Sequence, residues 1–427
     1  MSPFARLGAG LLLACILLPG SAAMSAPERP LAHELIIGCY QPPPGESLQA
    51  LQAAGFNLVH AAATRQALDE VRAAGLRAWA SLGTNLNLSE QAQERRAKLQ
   101  ETIEAVRDHP ALLLWDGPDE PQYQVWGPGF FDLNLPAGSE QRLQAAAACA
   151  EKGRVLARGL VEGHAYARSL DAGHPIWINH APRHPLATLR ELAEAADIHS
   201  VDFYPVPEGC GHSDLPNENL SAAGQYVDRL AEAMGGRPTW MVLQGFSWEE
   251  IGIRDVRRTV TYPSFAESRF LAYDCLLHGA TGLLYWGTHT LRPEASHWQA
   301  LKALAAELSA LSPVLTAPPA ALPVQVRTLS AWHSAALGAR ASLRQVGDQW
   351  YLLLVNEERY PLEVAVSGLA PLAGRSLELL YSDQRQVVAA DGSFAVSLPG
   401  YVVNVYATSR RLEAPRPGRD FAGRLTP

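Results

Sequence analysis

Three carboxylates, Asp116, Asp119 and Glu120, stand within five residues at the end of the apolar run Leu112–Trp115, fenced by Gly117, Pro118 and Pro121. Clustered carboxyls raise one another's pKa, since each charge disfavours the next. A carboxyl kept protonated near neutrality can deliver a proton to a leaving oxygen. Neighbours in an extended chain point to opposite sides, so Asp119 and Glu120 are expected to divide the work. One would be a pocket acid and the other a hydrogen-bond acceptor holding the turn. A solvated acidic turn, or a cap for the next helix, would use the same residues without chemistry.

The apolar run in front of these acids has the length and composition of a strand buried on both faces, as in a parallel sheet. Pro118 and Pro121 cannot donate to a central ladder, so the strand should end near Asp116. Acids at that place lie at a strand's C-terminal end, where α/β folds gather their chemistry. The same kind of strand recurs at Leu35–Tyr40, Phe56–His60, Arg77–Leu82, Pro175–His180, Asp197–Pro205, Thr239–Phe246 and Gly282–Gly287. Helical stretches separate them: Ser47–Ala54, Arg65–Ala74, Ser89–Arg107 with Ser89 as candidate N-cap, Ser139–Leu170 and, after the last strand, Trp298–Leu311. Eight strands alternating with helices predict a (β/α)₈ TIM barrel over residues 33–312. Three long loops, Gln122–Gly138, Val206–Leu220 and Ser247–Pro263, follow strand C-termini and should shape one pocket.

Prolines 313, 318, 319 and 323 mark a stiff linker over residues 313–323. Short strands then recur at Trp350–Val355, Leu362–Val366, Leu377–Tyr381, Phe394–Leu398 and Val402–Tyr406, which predicts a small antiparallel β-sandwich over residues 324–408. Residues 409–427 read as a loose polar tail.

The 427-residue chain is 48% hydrophobic and 18% charged, as a well-cored globular protein is. Its net charge of -8, with no basic block, excludes a nucleic-acid partner, which requires clustered Lys and Arg. Arg6, the apolar segment Leu7–Leu18 and the small residues around Ala23 and Ala26 read as an export signal over residues 1–26. The segment is short for a membrane span, so the mature chain should have none. Cys15 loosely matches a lipidation site, although the apolar run continues past it, and soluble export to a periplasmic or extracellular space is preferred. Cys39, Cys149, Cys210 and Cys275 fit no zinc spacing, and such a compartment permits a disulfide without requiring one.

Trp115-x-x-x-Asp119-Glu120-Pro121 resembles the fourth-strand signature of the retaining glycoside hydrolases built on (β/α)₈ barrels. In that family an Asn-Glu-Pro triplet carries the acid/base. Asp202-x-Tyr204-Pro205 and Tyr285-Trp286 are also similar to that superfamily. The resemblance covers residues 33–312 and implies a carbohydrate substrate, Glu120 as general acid/base and no cofactor. One position departs: the family's nucleophile is a Glu ending the seventh strand, and Gln244 stands there. A neutral amide cannot attack an anomeric carbon. Three accounts stay open: another acid serves (Asp202, Asp116, Glu249 or Glu250); the enzyme inverts through a second carboxylate; or the site binds sugar without cleaving it. Gln244 as a donor to a sugar hydroxyl suits all three.

Aromatic rings suit the apolar faces of sugars, and Trp79, Trp126, Tyr204, Phe246, Trp248 and Trp286 fall at or after strand ends. Trp286 is the preferred platform, whereas Trp79 lies within its strand and could fill a barrel layer. His60 and Asn179 end strands and join Asp116, Tyr204, Gln244, Trp248 and Trp286 as candidate substrate contacts; Glu120, Asp202 and Asp119 are the candidate catalytic groups. His174, His180 and His184 do not share one helical face, so no metal site is expected there. The leading expectation is thus an exported glycoside hydrolase. A non-catalytic carbohydrate-binding barrel and an envelope-assembly protein are the rivals.

Overall fold

A computed structural model describes residues 34–210, 212–252, 259–334 and 336–414. The expected leader with Cys15 and the tail beyond residue 414 lie outside the described residues. Eight parallel strands close into a barrel in sequence order: β1 (Ile36–Cys39), β2 (Leu58–His60), β3 (Arg77–Ser81), β4 (Leu112–Asp116), β5 (Ile176–His180), β6 (Ile198–Phe203), β7 (Thr239–Gln244) and β8 (Gly282–Trp286). β1 pairs with β8 through Ile36–Gly282 to Cys39–Tyr285, which closes the ring. The fold is the (β/α)₈ barrel that the alternating strands and helices predict.

Period-two alternation sorts each strand's residues between two cores. Leu58, Trp79, Leu114, Trp177, Ile198, Trp240, Val242 and Leu284 pack with one another inside the barrel. Ala78, Ala80, Trp115, Ile176, Ile178, Val201, Met241, Leu243 and Tyr285 face outward into the layer under the helices. Continuing the inward parity toward the C-terminal ends brings His60, Asp116, Asn179, Asp202, Gln244 and Trp286 to the barrel mouth. β4 ends at Asp116, as its prolines require, but the chain stays against β5. Gly117 N donates to Trp177 O at 2.8 Å and Glu120 N to Asn179 O at 3.0 Å. A Cβ on Gly117 would stand 2.7 Å from Ile178 Cγ1, so only glycine allows this approach.

After the barrel, a five-stranded antiparallel sheet in the order β10-β11-β16-β13-β14 faces a three-stranded one, β15-β12-β9. The strands are β9 (Gln325–Thr328), β10 (Ala339–Val346), β11 (Gln349–Asn356), β12 (Leu362–Ser367), β13 (Ser376–Leu379), β14 (Arg385–Val387), β15 (Phe394–Leu398) and β16 (Val403–Ala407). The stiff linker expected at 313–323 is instead built into the domain. Ser312–Leu315 forms a helical turn, and Arg344 on β10 donates to the carbonyls of Val314 (3.1 Å) and Leu315. The sandwich is pinned to the barrel. Arg269 bridges Glu307 (2.7 Å) and Val403 O (2.6 Å), and Phe270 packs against Tyr401 at 4.8 Å between ring centres. The expected loose tail is also corrected at its start: Arg410 holds Glu378 (3.2 Å) and Glu413 (2.9 Å), anchoring the chain to β13.

All four cysteines among the described residues are free. No described helix is long and apolar enough to cross a membrane.

Candidate active site

The three long loops meet over the barrel's C-terminal end, as expected, and enclose a cavity of about 400 Å³. Each contributes to its wall: Tyr123 from the first, Cys210 and His212 from the second, Trp248 and Ile251 from the third. Asp119, Glu120, Asn179, Asp202, Tyr204 and Trp286 line it together with Tyr40 and Arg183. Seven of the ten residues singled out in the sequence lie at or line this cavity's floor and walls; His60, Asp116 and Gln244 do not line it.

Glu120 and Asp202 are in direct side-chain contact and share a hydrogen bond. Burial and then the neighbouring Asp119 charge push Glu120 up to about 7. Burial first, and then Glu120 and Asp119, push Asp202 well above the usual carboxylate range. Two carboxylates in contact cannot both ionise cheaply in such a setting, so the pair retains a proton at neutral pH. Among the described residues, the Oδ1 atom of Asp202 is buried without a hydrogen-bond partner.

Asp119 also opens onto the cavity, which corrects the expectation that neighbouring acids divide between pocket and turn. The reason is the backbone of Glu120, at φ 45° and ψ 52° in the left-handed region. That conformation breaks the extended alternation and turns both side chains to one side. A non-glycine residue held there costs on the order of 1–2 kcal/mol, an expense found mostly at functional sites. A short helix, Pro121–Trp126, starts immediately afterwards, within the stretch expected as loop.

Asp119 is solvent-accessible on its cavity side yet flanked by protein on the others, and burial raises its pKa. Asn179 opposes that shift by donating Nδ2–H to Asp119 Oδ1 at 3.0 Å. Its other amide atom is committed as well: Ser200 Oγ donates to Asn179 Oδ1 at 2.7 Å and in turn accepts Trp177 Nε1–H at 2.8 Å. This chain admits one orientation of the Asn179 amide, with its donor toward Asp119.

Gln244 ends β7 where expected, but it is 2% exposed and spent on backbone. Nε2 donates to Val206 O at 2.7 Å and Phe246 O at 3.1 Å, and Oε1 accepts Val206 N–H at 3.0 Å. It holds the start of the β6 loop, leaving no group for a sugar. The other open candidates are also placed elsewhere. Asp116 sits inward on β4, pushed up to about 7 by burial and bonded to Ser81. Glu250 accepts Tyr262 OH at 2.5 Å, and Glu249 does not line the cavity. His60 lies against Trp79, with ring centres 5.7 Å apart.

The aromatic wall is continuous. Tyr204 stacks on Trp286 at 5.7 Å with 21° between planes, and on its other flank His212 stacks at 5.1 Å. Burial pushes His212 down to about 3, so its ring is neutral; Nδ1 accepts Tyr204 N–H at 3.1 Å. Trp248 meets Tyr204 edge-on at 6.0 Å. Trp79 and Phe246 are core residues with no exposure, and Trp126 lies off the cavity. Tyr40, Tyr123, Arg183 and His212 escaped the sequence reading. Tyr40 follows β1 and had a strand-end signal; Tyr123 lies on the short helix Pro121–Trp126, within a stretch expected as loop, and Arg183 and His212 lie in irregular segments whose sequence carries no period.

No protein-family model matches the chain, and no curated protein matches it in sequence. Solved structures do. The β-galactosidase from Bacillus circulans sp. alkalophilus superposes with a TM-score of 0.57 at 8% identity, covering 89% of this chain and 99% of that one. A GH42 β-galactosidase from G. stearothermophilus gives 0.55 at 10% identity over 88% and 98%. A glycoside hydrolase family 5 protein from Bacteroides vulgatus gives 0.53 at 12% identity over 92% and 94%. The chain spans 60% and 59% of two longer β-galactosidases, from Marinomonas ef1 and Halorubrum lacusprofundi. At such identities the likeness is one of fold: this chain has the barrel-plus-sandwich fold found in (β/α)₈ glycoside hydrolases.

Proposed function

We propose that the protein is an exported glycoside hydrolase acting on a poly- or oligosaccharide, with Glu120 delivering the proton to the leaving oxygen. The observation that carries this reading is the Glu120–Asp202 contact inside an aromatic-walled cavity, which keeps a carboxylic acid protonated near neutrality. Asp202 touches Glu120, which is closer than the about 5–5.5 Å of a retaining pair or the about 6.5–9.5 Å of an inverting pair. Asp202 is therefore assigned as the hydrogen-bonded partner that shares a proton with Glu120, not as the nucleophile, while burial and the Asp119 charge are what raise Glu120 itself. Asp119 is the cavity carboxylate most open to solvent and has a fixed donor in Asn179, so it is the ionised partner suited to drawing a proton from water. In this reading water, with Asp119 as its base, takes the place of the nucleophile that β7 does not supply. Trp286, partly exposed with Tyr204 stacked against it, offers a flat apolar surface to a sugar ring.

Gln244, locked to backbone at the usual nucleophile position, favours a second reading: a barrel that binds sugar and does not cleave it. Incubation with a panel of oligosaccharides and aryl glycosides, analysed chromatographically beside calorimetric titration, separates the two. Released sugar supports the hydrolase; binding without product supports the binding barrel; neither binding nor product overturns both.

A further inference from the structure

Away from the cavity, where barrel meets sandwich, Asp274, His278 and Glu357 bring one ligand-type atom each to within 4.8 Å of one another. Asp274 and His278 stand one turn apart on the helix Phe265–Leu277 and its C-cap, and Glu357 follows β11. All three side chains are withdrawn from solvent, with 0%, 3% and 9% exposure.

Four features mark this as more than an acidic cluster. Asp274 Oδ1 is buried with no hydrogen-bond partner among the described residues, a costly state for a carboxylate oxygen, while Oδ2 accepts Gly224 N–H at 2.9 Å. The spacings suit one small cation: His278 Nε2 lies 3.1 Å from Glu357 Oε1 and 3.8 Å from Asp274 Oδ1. Bonds of about 2.0–2.1 Å in a tetrahedron give ligand–ligand edges of roughly 3.3–3.4 Å. His278 Nδ1 is held by Asp228 Oδ2 at 2.8 Å, the carboxylate–histidine arrangement that turns Nε2 toward Glu357 Oε1, its partner at 3.1 Å, and Asp274. Finally, Gly224 keeps the space open: a Cβ there would lie 2.5 Å from His278 Nε2 and 2.7 Å from Asp274 Oδ2.

We propose that Asp274, His278 and Glu357 bind a divalent cation of the zinc class, which clamps the sandwich onto the barrel. Arg340 Nε donates to Glu357 Oε1 at 2.8 Å and positions that carboxylate. Three carboxylates, Asp228, Asp274 and Glu357, face this one guanidinium, so a divalent cation that displaces the proton they favour on His278 balances the two remaining negative charges. One imidazole with two carboxylates is a donor set that zinc accepts, and water can complete the tetrahedron. The sequence concealed the site because its ligands come from two domains and share no short spacing. The site is independent of the reaction proposed for the cavity.

The test uses the full chain, stripped with a chelator and titrated with Zn²⁺ under calorimetry, with metal content and melting temperature read in parallel. The proposal expects one equivalent of zinc per chain and a melting temperature that rises by several degrees on binding. His278→Gln and Gly224→Ala should each lose the bound zinc, the latter by filling the space with a methyl group. Should either fail to fold, Glu357→Gln provides the same readout, and X-ray absorption of the wild type at the zinc edge should show one imidazole nitrogen among oxygen ligands. No zinc uptake by the wild type overturns the proposal and leaves a protonated His278 bridging Asp228 and Glu357. Zinc uptake unchanged in all three variants overturns it equally.

Discussion

Glu120 at the left-handed turn after β4 and Asp202 on β6 touch through their carboxyl groups, and the contact holds a proton where the cavity opens. Glu120 gains its raised pKa from burial and neighbouring charge, and the strained turn aims it.

Activity should fall as pH rises through about 7, because the proton leaves the Glu120–Asp202 pair there. The acid limb should follow Asp119, whose pKa is raised above the usual 3.8 by burial. A pH profile of kcat/KM measures both limbs, and Asp119→Asn should abolish turnover rather than shift one limb. Stability carries the same signature with a definite sign. The folded state binds more protons than the unfolded one between about 4.5 and about 7, so Glu120 makes the protein less stable as pH rises across that window. Glu120→Gln should flatten that slope in urea titrations.

Asn179→Ala should shift the acid limb to higher pH, since Asp119 loses the donor that favours its ionised form. The variant also strands the Ser200 hydroxyl and should lose about 1–3 kcal/mol of stability by chemical denaturation.

Gln244→Glu, which restores the residue type of the retaining family, should not create a nucleophile. It removes the donor to Val206 O and Phe246 O and places a carboxylate against two carbonyls. The expected result is a loss of about 1–3 kcal/mol or more in unfolding experiments and no covalent glycosyl intermediate by mass spectrometry. Trapping of such an intermediate would contradict the assignment of Gln244 to the loop.

Trp286→Ala should raise KM about tenfold, roughly 1.4 kcal/mol of binding, with kcat changed far less, if its face carries a sugar. Steady-state kinetics on a cleaved oligosaccharide separates the two constants.

The barrel was legible because its strands repeat a strong local signal: short apolar runs, each stopped by turn residues and followed by a helix. Asp202, Asn179 and Trp286 could be placed at strand ends by counting alone. The relation between Asp119 and Glu120 could not, because alternation assumes an extended chain and nothing in Asp119-Glu120-Pro121 signals a positive φ. Gln244 was correctly placed on β7, yet its commitment to Val206 and Phe246 depends on how the β6 loop folds back. In the sandwich, β9, β10 and β14 escaped because their residues are polar and half-exposed, as in Gln325–Thr328 and Arg385–Val387. Ser89 is not the helix cap expected: its hydroxyl turns to Asn87 Oδ1 at 2.7 Å, and the helix begins at Ala92 behind Gln91 at φ 47°. Arg183 and His212 belong to loops, where position follows from tertiary packing alone, and Tyr123 sits on a six-residue helix too short to show a period.

Replacing Glu120 by Gln, with turnover of a cleaved glycan and melting temperature measured on the same preparation, tests the central assignment most directly. Loss of a positioned general acid predicts a fall in kcat of about 10²–10⁴-fold with the melting temperature unchanged or raised, since the swap removes a buried carboxyl whose charged form burial disfavours. Turnover within about twofold of wild type would contradict the account.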